Sequence, residues 1–253
     1  MGKVLFIGDI HGKSGWIRYA TEALKSGIEV VFLGDYYDSF DIKPHEQEEN
    51  LKRILAFKRK ADNRKNFITR VTLLLGNHDY SYMMGKSATS GYNEGWAAGH
   101  RQLLADNWNL FDVAWGHTAP FTREYTLATH AGITSTYWKN YIMNGEEPHY
   151  EFVKQILGED AFEVQPMHKI LNILKDKFGL LWKVGSDRGG SGTPGPLWAD
   201  ISELKDDPYP GINQIVGHTG WHTMEYFKVN KDKNFIAKID GLGPDPQRII
   251  ITL

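Results

Sequence analysis

Three short apolar runs, each stopping at a glycine that is followed by a carboxylate or an amide, constrain this chain more than anything else in it. Lys3–Ile7 (KVLFI) stops at Gly8-Asp9-Ile10-His11-Gly12, and residues 29–33 (EVVFL) stop at Gly34-Asp35-Tyr36-Tyr37-Asp38. Residues 71–75 (VTLLL) stop at Gly76-Asn77-His78-Asp79. Apolar runs of this length bounded by glycine read as buried strands. Stretches of helical period lie between them. Ser14 is placed to cap a helix to about Lys25, with Trp16, Ala20, Ala23 and Leu24 as its apolar stripe. Residues 45–62 turn Leu51, Ile54, Leu55 and Phe57 inward. Strand, helix, strand, helix, strand predicts βαβαβ and a parallel sheet. Parallel strands end at one edge, so all three polar turns must lie along it, where open α/β sheets hold their ligands.

Those turns have chemical content. Asp9 and His11 are two apart after a strand and can point from one loop toward a common point, which Asp35 and Asn77 reach from neighbouring strand ends. Any one of these residues could do no more than cap the next helix. At three successive strand ends, together with His78, they point to metal. Carboxylates and imidazoles without thiolates suit Mn, Fe, Zn or Mg. The chain has no Cys, which removes disulfides and thiolate sites altogether. An Asp shared between two metals fits a two-metal hydrolytic site, its ions about 3.5–4 Å apart.

Composition narrows the partners. The 253 residues carry 29 Lys+Arg against 31 Asp+Glu, a formal net charge of -2, so charge gives no case for a nucleic-acid binder. The basic run Lys52-Arg53, Lys58-Arg59-Lys60, Arg64-Lys65 reads as a solvated helix face. The apolar stretch at the N-terminus is too short for a signal peptide, and no run of transmembrane length follows, so a cytoplasmic protein with no membrane partner is expected. Residues 80–108, rich in Gly, Ser and aromatics, read as a loop followed by a helix containing Arg101, Leu103 and Leu104. Residues 111–117 and 125–130 read as an antiparallel pair about Ala119-Pro120, the second ending in His130-Ala131-Gly132. From 135 to about 178 the chain turns helical with charged faces, and residues 135–200 read as a cap inserted into one domain that spans 1–253. Gly185-Ser186-Asp187-Arg188-Gly189-Gly190 is glycine-rich without the Lys-Ser/Thr ending of a Walker loop. It is either a connector or a place where Arg188 forks phosphate oxygens. Residues 213–216 lead into Gly217-His218-Thr219, residues 235–239 into Asp240-Gly241, and 248–253 form a last strand.

The series Gly8-Asp9-Ile10-His11-Gly12, Gly34-Asp35-Tyr36-Tyr37-Asp38, Gly76-Asn77-His78-Asp79, His130-Ala131-Gly132 and Gly217-His218-Thr219 resembles the calcineurin-like metallophosphoesterase superfamily, closest to its phosphoprotein (Ser/Thr) phosphatase branch with bacterial and bacteriophage members. The resemblance implies an α/β fold in which two mixed sheets pack face to face as a sandwich flanked by helices. It also implies two divalent cations, Mn²⁺ first, with Fe, Zn, Ni or Mg as alternatives. Asp9 and His11 would hold the first, Asp35 would bridge both, and Asn77, His130 and His218 would hold the second. A hydroxide between the metals, available because bound water is acidified to about pKa 7, would attack phosphorus. His78 would be the general acid, aimed by Asp38.

Gly116-His117-Thr118 nearly repeats the tripeptide at 217–219, but family order puts that ligand after His130, which selects His218. A second His two places on, common outside the phosphatase branch, is replaced by Gly220, with His222 beyond it. Three departures bear on substrate. Ser39-Phe40 stands where phosphatases have Arg-Gly, Asp79 stands where they have Glu, and Leu197-Trp198-Ala199-Asp200 offers Asp where a second phosphate-binding Arg is sought. Arg188 is the candidate for the substitute cation. The expected activity is hydrolysis of phosphomonoesters of the phosphoserine or phosphothreonine type, on a phosphorylated protein or a small phosphoester. The alternatives are a phosphodiesterase or nucleotide pyrophosphohydrolase on the same site, and a binding module that keeps the fold without turnover.

Overall fold

The computed structural model describes the chain apart from residues 1, 40, 64–69, 86–93, 145–146, 220–223, 232, 240–245 and 253, and apart from the side chains at 94–97. The chain divides into two compact units. The first comprises Met1–Asp112, Gly220–Met224 and Ile239–Leu253, the second Val113–Thr219 and Glu225–Lys238. Phe40, Arg64-Lys65, Gly220, His222 and Asp240-Gly241 lie outside the described residues.

In chain order the first unit holds β1 (Lys3–Ile7), α1 (Trp16–Lys25), β2 (Glu29–Phe32), α2 (Pro44–Asp62), β3 (Val71–Leu74), α3 (Asn77–Met84), α4 (Glu94–Ala105) and β4 (Phe111–Asp112). The second unit holds β5 (Ala114–Thr118), β6 (Tyr125–Thr129), β7 (Ile212–Val216), β8 (Glu225–Val229) and β9 (Asn234–Lys238). The chain then returns to the first unit as β10 (Arg248–Thr252).

The sheet of the first unit runs β10-β1-β2-β3-β4. β1, β2, β3 and β4 are parallel, in the register Val4 to Glu29, Val30 to Val71 and Leu73 to Phe111, and β10 runs antiparallel to β1. This is the βαβαβ arrangement expected from the alternation of apolar runs and helical stretches. Phe6, Val30, Val31, Phe32, Leu73 and Leu74 are wholly buried in it, each such side chain contributing roughly 1.5–3 kcal/mol by leaving water. α1 buries the stripe read from its sequence, Trp16, Ala20, Ala23 and Leu24. The Trp16 ring meets Phe32 and Phe57 edge-on at 5.4 and 5.5 Å, and its indole N–H donates to Asn50 on α2 at 3.0 Å.

The sheet of the second unit runs β5-β6-β7-β9-β8, with β6, β7 and β9 parallel and the two outer pairs antiparallel. Helices Pro148–Leu157, Met167–Ile173 and Ile201–Asp206 belong to this unit. The chain is thus an α/β protein with two mixed sheets and accompanying helices.

Four local expectations change. α1 starts at Trp16 behind Gly15, with no side-chain cap, and Ser14 takes part through its carbonyl, which accepts the Ile17 N–H at 3.1 Å. The third strand stops at Leu74, and Asn77 opens a helix rather than a loop. Residues 111–117 are not one strand, because the chain leaves the first sheet after Asp112 and enters the second at Ala114. There the Asn172 amide oxygen accepts the N–H of Val113 (2.8 Å) and of Ala114 (2.9 Å), so the backbone stays hydrogen-bonded where the strand breaks. Finally, β8 is a strand that the sequence reading did not anticipate. It is an edge strand with Tyr226 and Lys228 facing solvent.

Candidate metal centre

In the first unit the first two strand-end loops are laced together by backbone, and the third is joined to them through side chains. The Asp35 carbonyl accepts from the N–H of Ile10 (3.1 Å) and of His11 (2.6 Å), and Gly12 N–H donates to the Tyr36 carbonyl at 2.9 Å. Gly34 and Gly76 make the close approach possible. A Cβ on Gly34, which sits at φ +107, would strike the Gly76 backbone, and a Cβ on Gly76 would strike the Asp35 carboxylate. Asp79 then ties two loops to one point. Its wholly buried carboxylate accepts three backbone N–H groups, from Gly76 at 2.9 Å, Asp35 at 2.8 Å and Tyr36 at 2.9 Å.

On this frame the ligand atoms of Asp9, His11 and Asp35 lie within 4.8 Å of one another, all buried. Asp35 divides its oxygens. Oδ1 accepts the His78 N–H at 3.0 Å, whereas Oδ2 lies 3.8 Å from His11 Nε2 and 3.9 Å from His78 Nε2. His11 Nδ1 donates to the Tyr37 carbonyl at 2.7 Å, which leaves Nε2 as the nitrogen available to a metal. Burial pushes the His11 pKa down to about 4, against the pull of Asp35, so the ring is neutral with its lone pair available. A neutral imidazole between two carboxylates, with its second nitrogen held by backbone, is a donor set that fits a divalent cation of borderline-to-hard character. Asn77 is buried one residue before His78 as the first residue of α3.

His78 stands apart from the ligand pattern. Its Nδ1 is 2.7 Å from Asp38 Oδ2. Burial alone would lower its pKa, but the charge of Asp35, the hydrogen bond to Asp38 and the charge of Asp38 outweigh that, and the net shift is upward. These groups favour the imidazolium more than water does, and with Nδ1 held by Asp38 it is Nε2 that faces away from that carboxylate.

In the second unit β6 and β7 are parallel, so His130 and His218 emerge at the same edge. The Gly217 N–H donates to the His130 carbonyl at 2.7 Å, and His130 Nε2 lies 3.2 Å from His218 Nδ1. His218 sits at φ +64, as His11 (+41), Asp35 (+52) and Asp38 (+68) sit in the same left-handed region. Among the described residues, four of the seven non-glycine residues with positive φ are therefore expected site residues. Such backbone strain gathers where function requires a side chain to be aimed.

The sequence profile described as Calcineurin-like phosphoesterase matches residues 2–234. The chain belongs to this family. It is a metal-dependent phosphoester hydrolase of the α/β type. Among solved structures it is similar to a metallophosphoesterase from Sphaerobacter thermophilus (14% identity, 99% of this chain and 83% of that one, TM-score 0.41). It is also similar to a hypothetical protein from Pyrococcus horikoshii OT3 (10% identity, 96% and 78%, TM-score 0.41). No curated protein sequence matches it.

In this phosphoesterase Arg188 lies in the second unit with its Nε 2.9 Å from Asp200 Oδ2. Its Nη2 donates to Thr219 Oγ1 at 2.9 Å and reaches the His218 carbonyl at 3.5 Å. Asp200, found where a second arginine was sought, is thus the anion that holds Arg188. The repeated tripeptide lies elsewhere in the second unit. His117 is within β5, opposite Thr126, at the far end of the hairpin from His130. Gly116 serves packing there, since a Cβ would strike the Tyr125 hydroxyl and the His168 ring.

The sequence reading gave no role to Tyr82, whose hydroxyl donates to Asp38 Oδ1, or to His100, which is buried against Tyr37 and Tyr82. Only the spacing of Tyr82, four residues after His78 on one helix, is a signal that the sequence carries.

Proposed function

We propose that this phosphoesterase hydrolyses phosphomonoesters at a dinuclear site, with phosphoserine and phosphothreonine side chains as the substrate class. Asp9, His11 and Asp35 would hold one cation, and Asn77, His130 and His218 would hold the other with Asp35 shared. Mn²⁺ suits this donor set, as Fe, Zn, Ni and Mg do to differing degrees. When bound, such cations supply Lewis acidity toward phosphoryl oxygens and make a nucleophilic water available near neutral pH.

The chain's own contribution is the proton. The observation that carries the reading is the 2.7 Å contact between His78 Nδ1 and Asp38, beside the buried Asp9, His11 and Asp35 group. Asp38 fixes the ring and keeps it cationic, and His78 Nε2–H donates to the departing oxygen, so an alkoxide such as that of serine leaves as the alcohol. Arg188, its Nε side on Asp200, is the cation proposed to meet phosphate oxygens with its remaining N–H groups.

A second reading is a diesterase or nucleotide pyrophosphohydrolase. It is favoured by Ser39, which leaves the second loop without the guanidinium that a dianionic monoester would reward more than a monoanionic diester. The test is the initial rate with Mn²⁺ on 4-nitrophenyl phosphate and bis(4-nitrophenyl) phosphate, side by side, with a chelator control. Monoester preference supports the phosphatase reading. Diester preference moves the chain to the second, and no metal-dependent rate on either would leave a binding module.

A further inference from the structure

The proton-donating pair has a third member. We propose that Tyr82 is a positioning residue for the reaction, its hydroxyl anchoring the Asp38 carboxylate that aims His78. The inference rests on the reading of His78 as proton donor given above.

His78 and Tyr82 are four residues apart on α3, so their side chains lie one above the other on a single face. Both reach one carboxylate. His78 Nδ1 takes Oδ2 at 2.7 Å and the Tyr82 hydroxyl donates to Oδ1. Asp38 is on a left-handed turn at φ +68 and is buried, and among the described residues these are its two hydrogen-bond partners. A carboxylate with one anchored oxygen can turn about its last side-chain torsion, a broad and soft rotor, and the plane of the imidazole turns with it. The second anchor stops that rotation.

Tyr82 is itself immobilised. It is wholly buried, with Tyr37 edge-on at 5.5 Å and His100 edge-on at 5.0 Å. His100 stacks on Tyr37 at 3.9 Å with an 8° interplanar angle, and its Nδ1 is 3.1 Å from Glu48 Oε1 on α2. The geometry that fixes the proton donor is therefore built on the rigid elements α2, α3 and α4.

The test compares kcat on phenyl phosphate, a poor leaving group that needs the proton, with kcat on 4-nitrophenyl phosphate, which needs it less. Tyr82→Phe keeps the ring and its packing and removes only the hydroxyl. Its kcat on phenyl phosphate should fall ~10-fold more than on 4-nitrophenyl phosphate, a fraction of the 10²–10⁴ that a general acid supplies, with KM little changed. In an Asp38→Asn background the same substitution should change nothing further. Equal losses on both esters, or a full additional loss in the Asp38→Asn background, would overturn the role of Tyr82. His78→Asn separates the two claims. If it lacks the leaving-group-selective loss, the proton-donor reading fails and this inference with it. If it shows that loss and Tyr82→Phe does not, only the inference fails.

Discussion

Asp79 shows how much one side chain can hold. Its carboxylate accepts the N–H groups of Gly76, Asp35 and Tyr36, and so joins the turn that carries Asp35 to the turn that carries Asn77 and His78. A hydrogen bond to a charged acceptor contributes more than a neutral one, and a buried N–H left without a partner costs about 1–3 kcal/mol. Asp79→Asn keeps the shape but turns an NH₂ group toward backbone donors. The expected result is a loss of about 2–4 kcal/mol in urea unfolding of the metal-free protein, at unchanged slope. A loss below about 0.5 kcal/mol would show that those N–H groups do not depend on the carboxylate. The acid three residues after Gly76 is visible in the sequence as a helix-start spacing. Its reach to the Asp35 turn, 44 residues away in the chain, is not.

Strands and helices act here through their ends. β1, β2 and β3 deliver their loops to one edge, and the Gly34–Gly76 contact sets how near two of those loops come. Two glycines give a comparison. Gly27 is left-handed at φ +73 with open space where a Cβ would go, so Gly27→Ala should cost only the conformational strain, roughly 1 kcal/mol. Gly76 has an ordinary backbone at φ -97, but its Cβ would strike the Asp35 carboxylate. Gly76→Ala should therefore cost more, about 3 kcal/mol, because the frame must shift to relieve overpacking, and it should weaken Mn²⁺ binding by calorimetry. Equal stability losses in the two variants would remove the close approach as the reason for glycine at 76. The same elements show where pattern reading stops. The apolar runs and the α1 stripe identified β1 to β3 and their parallel arrangement, since burial and period are local. The break at Val113 was hidden because both halves of 111–117 are good strand sequence, and the Asn172 amide that supports the break is remote in the chain.

For the molecule as a whole, cation binding should be visible as stability. A ligand that binds only the folded state at 100 times its dissociation constant adds about 2.7 kcal/mol per site. For a chain of this length 1 kcal/mol corresponds to about 2–4 °C in Tm, so chelator should lower Tm by ~5–10 °C for each site it empties and added Mn²⁺ should restore it. Coincident melting curves with and without chelator would show that the carboxylate and imidazole groups hold no cation.

The order of Gly-Asp, Gly-Asn-His, His-Ala-Gly and Gly-His-Thr along the chain determined the family and named the ligand candidates, since metal chemistry needs particular side chains and a strand end is a local place to put them. Tertiary structure alone decided what orients them: the left-handed turns at His11, Asp35, Asp38 and His218, the anchoring of Asp38 by Tyr82, and the pairing of Arg188 with Asp200. Those depend on distances between residues far apart in the chain, and no local pattern of residue types encodes a distance.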